Sequence, residues 1–238
     1  MKTVSVSDFK KNYGDTEAVK GISFSIKPGE IFGLIGPNGS GKTTTLRVLA
    51  TLLQKSAGEV SVMGFDVSNQ AEDIRHIISY LPEDAGVYKN MTGRQYLDFI
   101  ASFFSHKNKQ DILNRGLEIA NLGKRIEDRV QSYSKGMTRR LVIARALMTQ
   151  PKLAILDEPT SGLDVLNAQQ IRNIIQSTVK QGTTVLLSSH NMLEVEYLCD
   201  DIALVNKGLI VESGNPQDLM QKYDAKNIEE VFTRVVNL

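Results

Sequence analysis

Apolar positions come in short runs along this chain. Residues 2–8 and 18–26 alternate polar and apolar side chains, as half-buried strands do, and the second run ends at the turn Lys27-Pro28-Gly29-Glu30. IFGLI at 31–35 is a continuous apolar run, which predicts a strand buried on both faces. A glycine-rich stretch follows, then a helix predicted from Lys42 to about Leu53. EVSVMG (59–64) and IISYL (77–81) predict further strands, and from about Thr92 to Thr149 the pattern is helical. Strands resume at KLAILD (152–157), TTVLLSS (183–189) and DIALVNKGLIVESG (201–214), the last a hairpin around Asn206-Lys207-Gly208. Helices are expected over 164–180, 191–198 and roughly 215–236.

Alternating strands and helices predict an α/β fold with a mostly parallel sheet, preceded by an N-terminal antiparallel β part. The helical block, residues 86–150, reads as a helical subdomain inserted into that core, and 215–238 as a short C-terminal helical extension of a single domain, 1–238.

Composition narrows the function classes. With 28 Lys and Arg against 27 Asp and Glu, the net charge is +1, which gives no basic field for nucleic acid. A single cysteine, Cys199, precludes an internal disulfide and fits a reducing compartment. No apolar run approaches the roughly 20 residues of a membrane span, and the N-terminal stretch lacks the apolar core of a signal peptide. A cytoplasmic location is therefore expected, with any membrane role mediated by a partner.

GPNGSGKT (36–43) follows the buried run 31–35 and opens a helix, which is the context required for a G-x-x-x-x-G-K-[ST] phosphate loop and a P-loop NTPase core. Curling of the backbone through Gly36, Pro37, Asn38, Gly39, Ser40 and Gly41 points the N–H groups of its non-proline residues at phosphate oxygens. Lys42 supplies a point charge for the β- and γ-phosphates, and the Thr43 hydroxyl can bind Mg²⁺. LAILDEP (153–159) is an apolar strand ending in two acids, and open parallel sheets bind ligands at the carboxyl ends of their strands. Asp157 is expected near the Mg²⁺ beside Thr43, and Glu158 can polarise the attacking water. SYSKGMTRR (132–140) reads as the start of another helix, with Ser134 as N-cap and Gly136 allowing close approach. Such a terminus suits an anion, although a capped helix end alone would look the same.

Taken in order, GPNGSGKTT, YSKGM, LAILDEPTSGLD and the histidine of SSH resemble the ATP-binding subunit of an ABC transporter over nearly the whole chain. The ending NIEEVF (227–232) is similar to the branch that exports drugs, sodium, polysaccharides or other small cargo. The resemblance implies ATP and Mg²⁺ as cofactors, with Thr44 continuing the phosphate loop. It also implies two such domains packed head to tail, so that Ser134 and Gly136 close over ATP held by a second copy or a related subunit. A separate transmembrane permease subunit would carry the cargo and hold this chain at the inner face of the membrane.

Single positions carry over in the same way. Tyr13 matches the aromatic that stacks on adenine, although it can equally be a packed ring. Asp164 matches the loop that speaks across the dimer and is also a sound N-terminal acid for its own helix. His190 matches the histidine at the γ-phosphate and the attacking water, whereas His76 and His106 read as structural or solvated. Glu83 stands where many members carry Gln, in the residue that links Mg²⁺ and water to the helical subdomain. Lys135 and Met137 depart from the commoner LSGGQ: Lys135 replaces a glycine and brings a positive charge near a phosphate site, and Met137 replaces a polar residue. The candidate docking region is 83–104, where Tyr88, Tyr96, Phe99, Ile100, Phe103 and Phe104 either fill the helical core or line a partner groove. The alternatives are a soluble ATPase of the same superfamily, a small-molecule P-loop kinase and a module that binds ATP without cleaving it.

Overall fold

The computed structural model describes residues 2–104 and 108–237, so His106 lies outside the described residues. Strands β1 (Val4–Tyr13) and β2 (Thr16–Ile26) form a hairpin. β1 runs on past residue 8 because Asp8 adopts a left-handed φ of 46°, a bulge that resets the alternation and brings Phe9 back into the core. β3 (Ile31–Ile35) is buried at every position and leads into helix α1 (Lys42–Leu49). That helix stops short of the expected Leu53 because Thr51 turns left-handed, with φ 59°. β4 (Ala57–Val62) and β5 (Phe65–Asp66) complete an antiparallel sheet of order β2-β1-β4-β5.

Helix α2 (Ala71–Ile77) precedes β6 (Ile78–Leu81) and was not expected. Its acids Glu72 and Asp73 stand in the first turn and Arg75 and His76 in the last, which suits the helix dipole, but only Ile74 is buried, so its apolar period is too sparse to read. Helices α3 (Gly93–Ala101), α4 (Lys109–Ala120) and α5 (Lys135–Leu147) follow, with two 3₁₀ turns at Gly123–Glu127 and Val130–Ser132 between α4 and α5. Tyr96, Leu97, Ile112, Leu113, Leu141 and Met148 give these helices a hydrophobic cluster of their own. Among the described residues here, only an isolated bridge, Thr92 to Arg129, resembles a strand.

β7 (Leu153–Asp157), α6 (Val165–Lys180) and β8 (Thr184–Ser189) match the expected spans closely. The helix expected over 191–198 shrinks to a single turn, α7 (Met192–Val195). β9 (Asp201–Asn206) and β10 (Leu209–Gly214) form the anticipated hairpin. The expected 215–236 helix is two helices, α8 (Pro216–Lys222) and α9 (Ile228–Val236). Asp224 turns left-handed between them, with φ 47°, and Asn227 starts the second by accepting a hydrogen bond from the Glu230 amide.

The larger sheet runs β10-β9-β3-β8-β7-β6, parallel throughout except for the β9–β10 hairpin. β7 and β8 are buried on both faces, as central strands of such a sheet must be. Register decides what these strands present: Ile35 pairs with Ser189, and Asp157 with Ser188. The phosphate loop, the acidic strand end and the serines before His190 therefore emerge side by side on one edge.

Candidate functional site

Residues 36–41 wrap from the end of β3 into α1. Gly36 is obligatory there, since a Cβ would stand 2.0 Å from the Val205 carbonyl oxygen. Lys42 begins α1 and is 5% exposed. Its Nζ donates to the Gly36 carbonyl at 2.7 Å and the Pro37 carbonyl at 3.2 Å, and lies 3.8 Å from Glu158 Oε1. Burial pushes the Lys42 ammonium down from its ordinary value, against the pull of Glu158, Asp157 and Glu83.

The acids at the end of β7 are both buried. Asp157 Oδ1 accepts from Ser188 Oγ at 2.6 Å and from Thr43 Oγ1 at 3.2 Å. Ser188 Oγ in turn accepts from the Glu158 amide at 2.9 Å, so one hydroxyl from β8 aligns both acids. Glu158 has a left-handed φ of 49°, an uncommon conformation for a side-chain-bearing residue and one that recurs at functional sites. Its Oε2 lies 2.8 Å from His190 Nδ1, the histidine being half exposed.

A cleft of about 280 Å³ is lined by Ala18, residues 38–44, Glu83 and Glu158. Two buried oxygens of its lining residues, Ser40 Oγ and Glu158 Oε1, have no hydrogen-bond partner. An inward lysine, a curled glycine loop and the unpartnered Ser40 hydroxyl fit a bound polyphosphate, while the Glu158 oxygen, an acceptor, suits a water. Among the described residues no three His, Cys, Asp or Glu side chains form a closed metal cage. Thr43 with Asp157 is instead the sparse oxygen set that suits Mg²⁺, which keeps waters and phosphate oxygens as its other ligands.

Of the remaining candidates, Ser134, Gly136, Asp164 and Tyr13 lie outside the cleft's lining. Ser134 caps α5, its Oγ accepting from the Met137 amide at 3.2 Å. Gly136 packs on α6, and a Cβ there would meet Asn167 Oδ1 at 2.1 Å. Asp164 caps α6, and hydrogen bonds from the Asn167 amide and side chain hold its carboxyl below the ordinary value. Lys135 leans on the loop after Glu158, since a Cβ on Gly162 would stand 2.1 Å from its Nζ. Its charge therefore rests against this chain's own loop. Tyr13 ends β1, 46% exposed, with the Lys11 ammonium 5.0 Å from the ring centre. Glu83 joins the cleft, with Oε1 3.5 Å from Ser161 Oγ.

Sequence reasoning missed Arg139. It projects from α5, 9% exposed, and donates from Nε to the Pro159 carbonyl at 2.7 Å and from one terminal nitrogen to the Glu83 carbonyl at 3.0 Å. Its other terminal nitrogen donates to the Glu158 carbonyl. Burial pushes this guanidinium down from its ordinary value, while the nearby Glu83, Glu158 and Asp157 charges pull it up. The signal was available: Arg139 shares a helical face with buried Val142, Ile143 and Ala146, where a cation needs partners.

A family model described as "ABC transporter" matches residues 19–161. The chain belongs to this family. It is an ATP-binding subunit of an ABC transporter, and that membership removes the kinase alternative. Among its relatives, the linearmycin resistance ATP-binding protein LnrL of Bacillus subtilis is 36% identical, covering 98% of this chain and 76% of the relative. The Nod factor export ATP-binding protein I of Rhizobium etli is 35% identical, covering 98% and 74%. A solved ATP-binding subunit of an ABC transporter superposes with a TM-score of 0.86 at 25% identity, covering 98% of this chain and 99% of that one. An ATP-binding cassette in its ADP conformation superposes with a TM-score of 0.83 at 26% identity, covering the same shares. These relatives are named for drug resistance and for Nod factor export, and members of the family are ATPases. Among the described residues no helix is long and apolar enough to cross a membrane.

Proposed function

We propose that this chain hydrolyses ATP to ADP and phosphate and that the reaction drives a separate transmembrane export subunit. The reading rests on one observation above all: the buried Glu158 carboxylate spans from His190 Nδ1, at 2.8 Å, to Lys42 Nζ, at 3.8 Å, beside the phosphate loop. Glu158 takes a proton from the attacking water as general base. His190 orients the carboxylate and stabilises charge developing on phosphate oxygens. Lys42 and the amides of residues 38–44 hold the triphosphate, with Tyr13 under the adenine. Thr43 and Asp157, with Glu83 nearby, would hold Mg²⁺, which neutralises phosphate charge.

Completion of the site falls to a neighbour. Ser134, Gly136 and Asp164 do not line this chain's own cleft, and beside Asp164 the apolar Val165 and Leu166 are 80% and 77% exposed. Head-to-tail pairing with a second copy or a related subunit would cover them and bring Ser134 and Gly136 onto the other chain's ATP. Assembly of the site across an interface makes hydrolysis conditional on closure. The transmembrane subunit is read as docking on the helical region. Tyr96 is buried there, while Tyr88 and Phe103 are 55% and 71% exposed and are linked edge-on through Phe99. The relatives' names, for linearmycin resistance and Nod factor export, favour an exporter held at the inner membrane face.

Phosphate release and solution mass are the tests. Wild-type chain should turn over Mg·ATP, and Glu158→Gln should lose roughly 100-fold or more in kcat while still binding ATP. With hydrolysis blocked, Mg·ATP should shift the variant from monomer to dimer. Undiminished turnover in Glu158→Gln would remove the general-base assignment.

A further inference from the structure

Arg139 reaches from the helix that begins at Ser134 to the two loops flanking the phosphate cleft. The carbonyls of Glu83, Glu158 and Pro159 all accept from its guanidinium. The Glu158 carbonyl also accepts from the Ser161 amide at 3.2 Å, and the Glu158 amide donates to Ser188 Oγ at 2.9 Å. Glu158 nevertheless sits left-handed at φ 49°, where a side chain is disfavoured unless its surroundings over-determine it. A planar fork that grips the carbonyl on the far side of this residue supplies that constraint. The same fork fixes Glu83 in relation to Glu158, so both carboxylates of the cleft share one anchor.

We propose that Arg139 is a positioning residue for hydrolysis: its guanidinium locks the backbone at Glu158 and Glu83, and so aims the Glu158 carboxylate at the attacking water. The inference rests on the reading of Glu158 as general base. Geometry makes the role specific to arginine. Lysine can keep the charge and the aliphatic stem, but its single nitrogen cannot serve three carbonyls arranged around a planar fork. The link also joins the helix that starts at Ser134 to this chain's own catalytic acid.

The test compares wild type and Arg139→Lys in the full chain, by thermal unfolding, ATP affinity measured with a fluorescent nucleotide, steady-state kinetics and backbone amide exchange. Arg139→Lys should unfold cooperatively, bind ATP within about twofold of wild type, and lose roughly 10–100-fold in kcat. Exchange should quicken at the amides of 83–85, 157, 158 and 160–162 and stay unchanged elsewhere. Should the lysine variant fail to fold, Arg139→Gln, which keeps an amide donor without the charge, is read in the same way. A folded variant with kcat within about twofold of wild type overturns the proposal. So does a loss of ATP affinity in step with kcat, or exchange that quickens throughout the chain, since either marks general structural support. Failure of the underlying reading looks different: wild type would then show no turnover that Glu158→Gln removes.

Discussion

Gly136 and Asn167 touch. The N-terminal turn of α5 packs so closely on α6 that a Cβ at Gly136 would fall 2.1 Å from Asn167 Oδ1. Asn167 is also held by its neighbour, donating from its amide to Asp164 Oδ1 at 3.0 Å and from Nδ2 to Oδ2 at 2.6 Å. Glycine is therefore required here within a single chain, before any partner's nucleotide is considered. Gly136→Ala should lower stability by about 1–3 kcal/mol through overpacking, partly offset by the roughly 1 kcal/mol that alanine gains over glycine in a helix. The double variant Gly136→Ala/Asn167→Ala should recover part of the loss. Denaturant unfolding of the four proteins in that cycle checks the coupling, and simple additivity would count against the contact.

Ser188 should prove more than a buried hydroxyl. It bridges Asp157 and the Glu158 amide at 2.6 and 2.9 Å. Ser188→Ala leaves that amide without its partner, which costs about 1–3 kcal/mol. The expected fall in Tm is roughly 2–4 °C per kcal/mol for a chain of this size. kcat should fall as well, because both acids lose their shared support. Thermal scans and phosphate release on one preparation measure both.

The central strands were legible because parallel strands buried on both faces must be apolar throughout, and IFGLI, LAILD and TVLLSS are nearly so. The phosphate loop and its acids were legible because Lys42, Thr43, Asp157 and Glu158 stand at fixed places relative to those strands. What escaped depends on contacts far apart in sequence. Arg139 shows in the sequence only as a cation on an apolar helical face, and its partners, the carbonyls of Glu83 and Pro159, lie far off along the chain. The contact of Lys135 with Gly162 is likewise between residues that the sequence does not bring together. The C-terminal break escaped because Asp224 enters the left-handed region without a glycine to announce it.

Glu83 lines the cleft together with Glu158, and Asp157 lies close behind. If it contributes an oxygen to Mg²⁺, Glu83→Gln should raise the Mg²⁺ concentration for half-maximal hydrolysis by about tenfold, with smaller change at saturating Mg²⁺. A titration of turnover against Mg²⁺ at fixed ATP reads this, and superimposable curves would exclude Glu83 from metal binding. The bond between the Glu83 carbonyl and Arg139 uses the backbone, so this substitution leaves that anchor in place.

The exposed ladder Tyr88, Phe99 and Phe103 offers a separable test of docking. Its rings meet edge-on with centres 5.6 and 5.1 Å apart, and Phe103 is 71% exposed. Phe103→Asp should abolish co-purification with the transmembrane subunit while leaving the isolated chain's Tm and ATP affinity unchanged. Retained co-purification would move the docking surface elsewhere.

The C-terminal helices should respond to acid through Glu212. Burial pushes this carboxyl up, but hydrogen bonds from the Lys222 ammonium, the Tyr223 hydroxyl and the Ser213 amide bring it below its ordinary value of 4.5. The same bond to Glu212 raises the Lys222 ammonium above 10.5. A depressed carboxylate contributes stability above its unfolded pKa and loses it as pH falls through the folded one; a raised ammonium contributes below its unfolded pKa and loses it as pH rises through the folded one. The pair's contribution is therefore complete between those two values and is lost progressively beyond them, as each folded-state pKa is passed. Both partners tie β10 to α8 and the turn after it, so the effect should be local. Glu212→Gln should speed amide exchange in α8 at about pH 7, and the difference from wild type should vanish as pH drops below 4.5. A difference that persists into acid would mean that the carboxylate's charge is not what holds the helix.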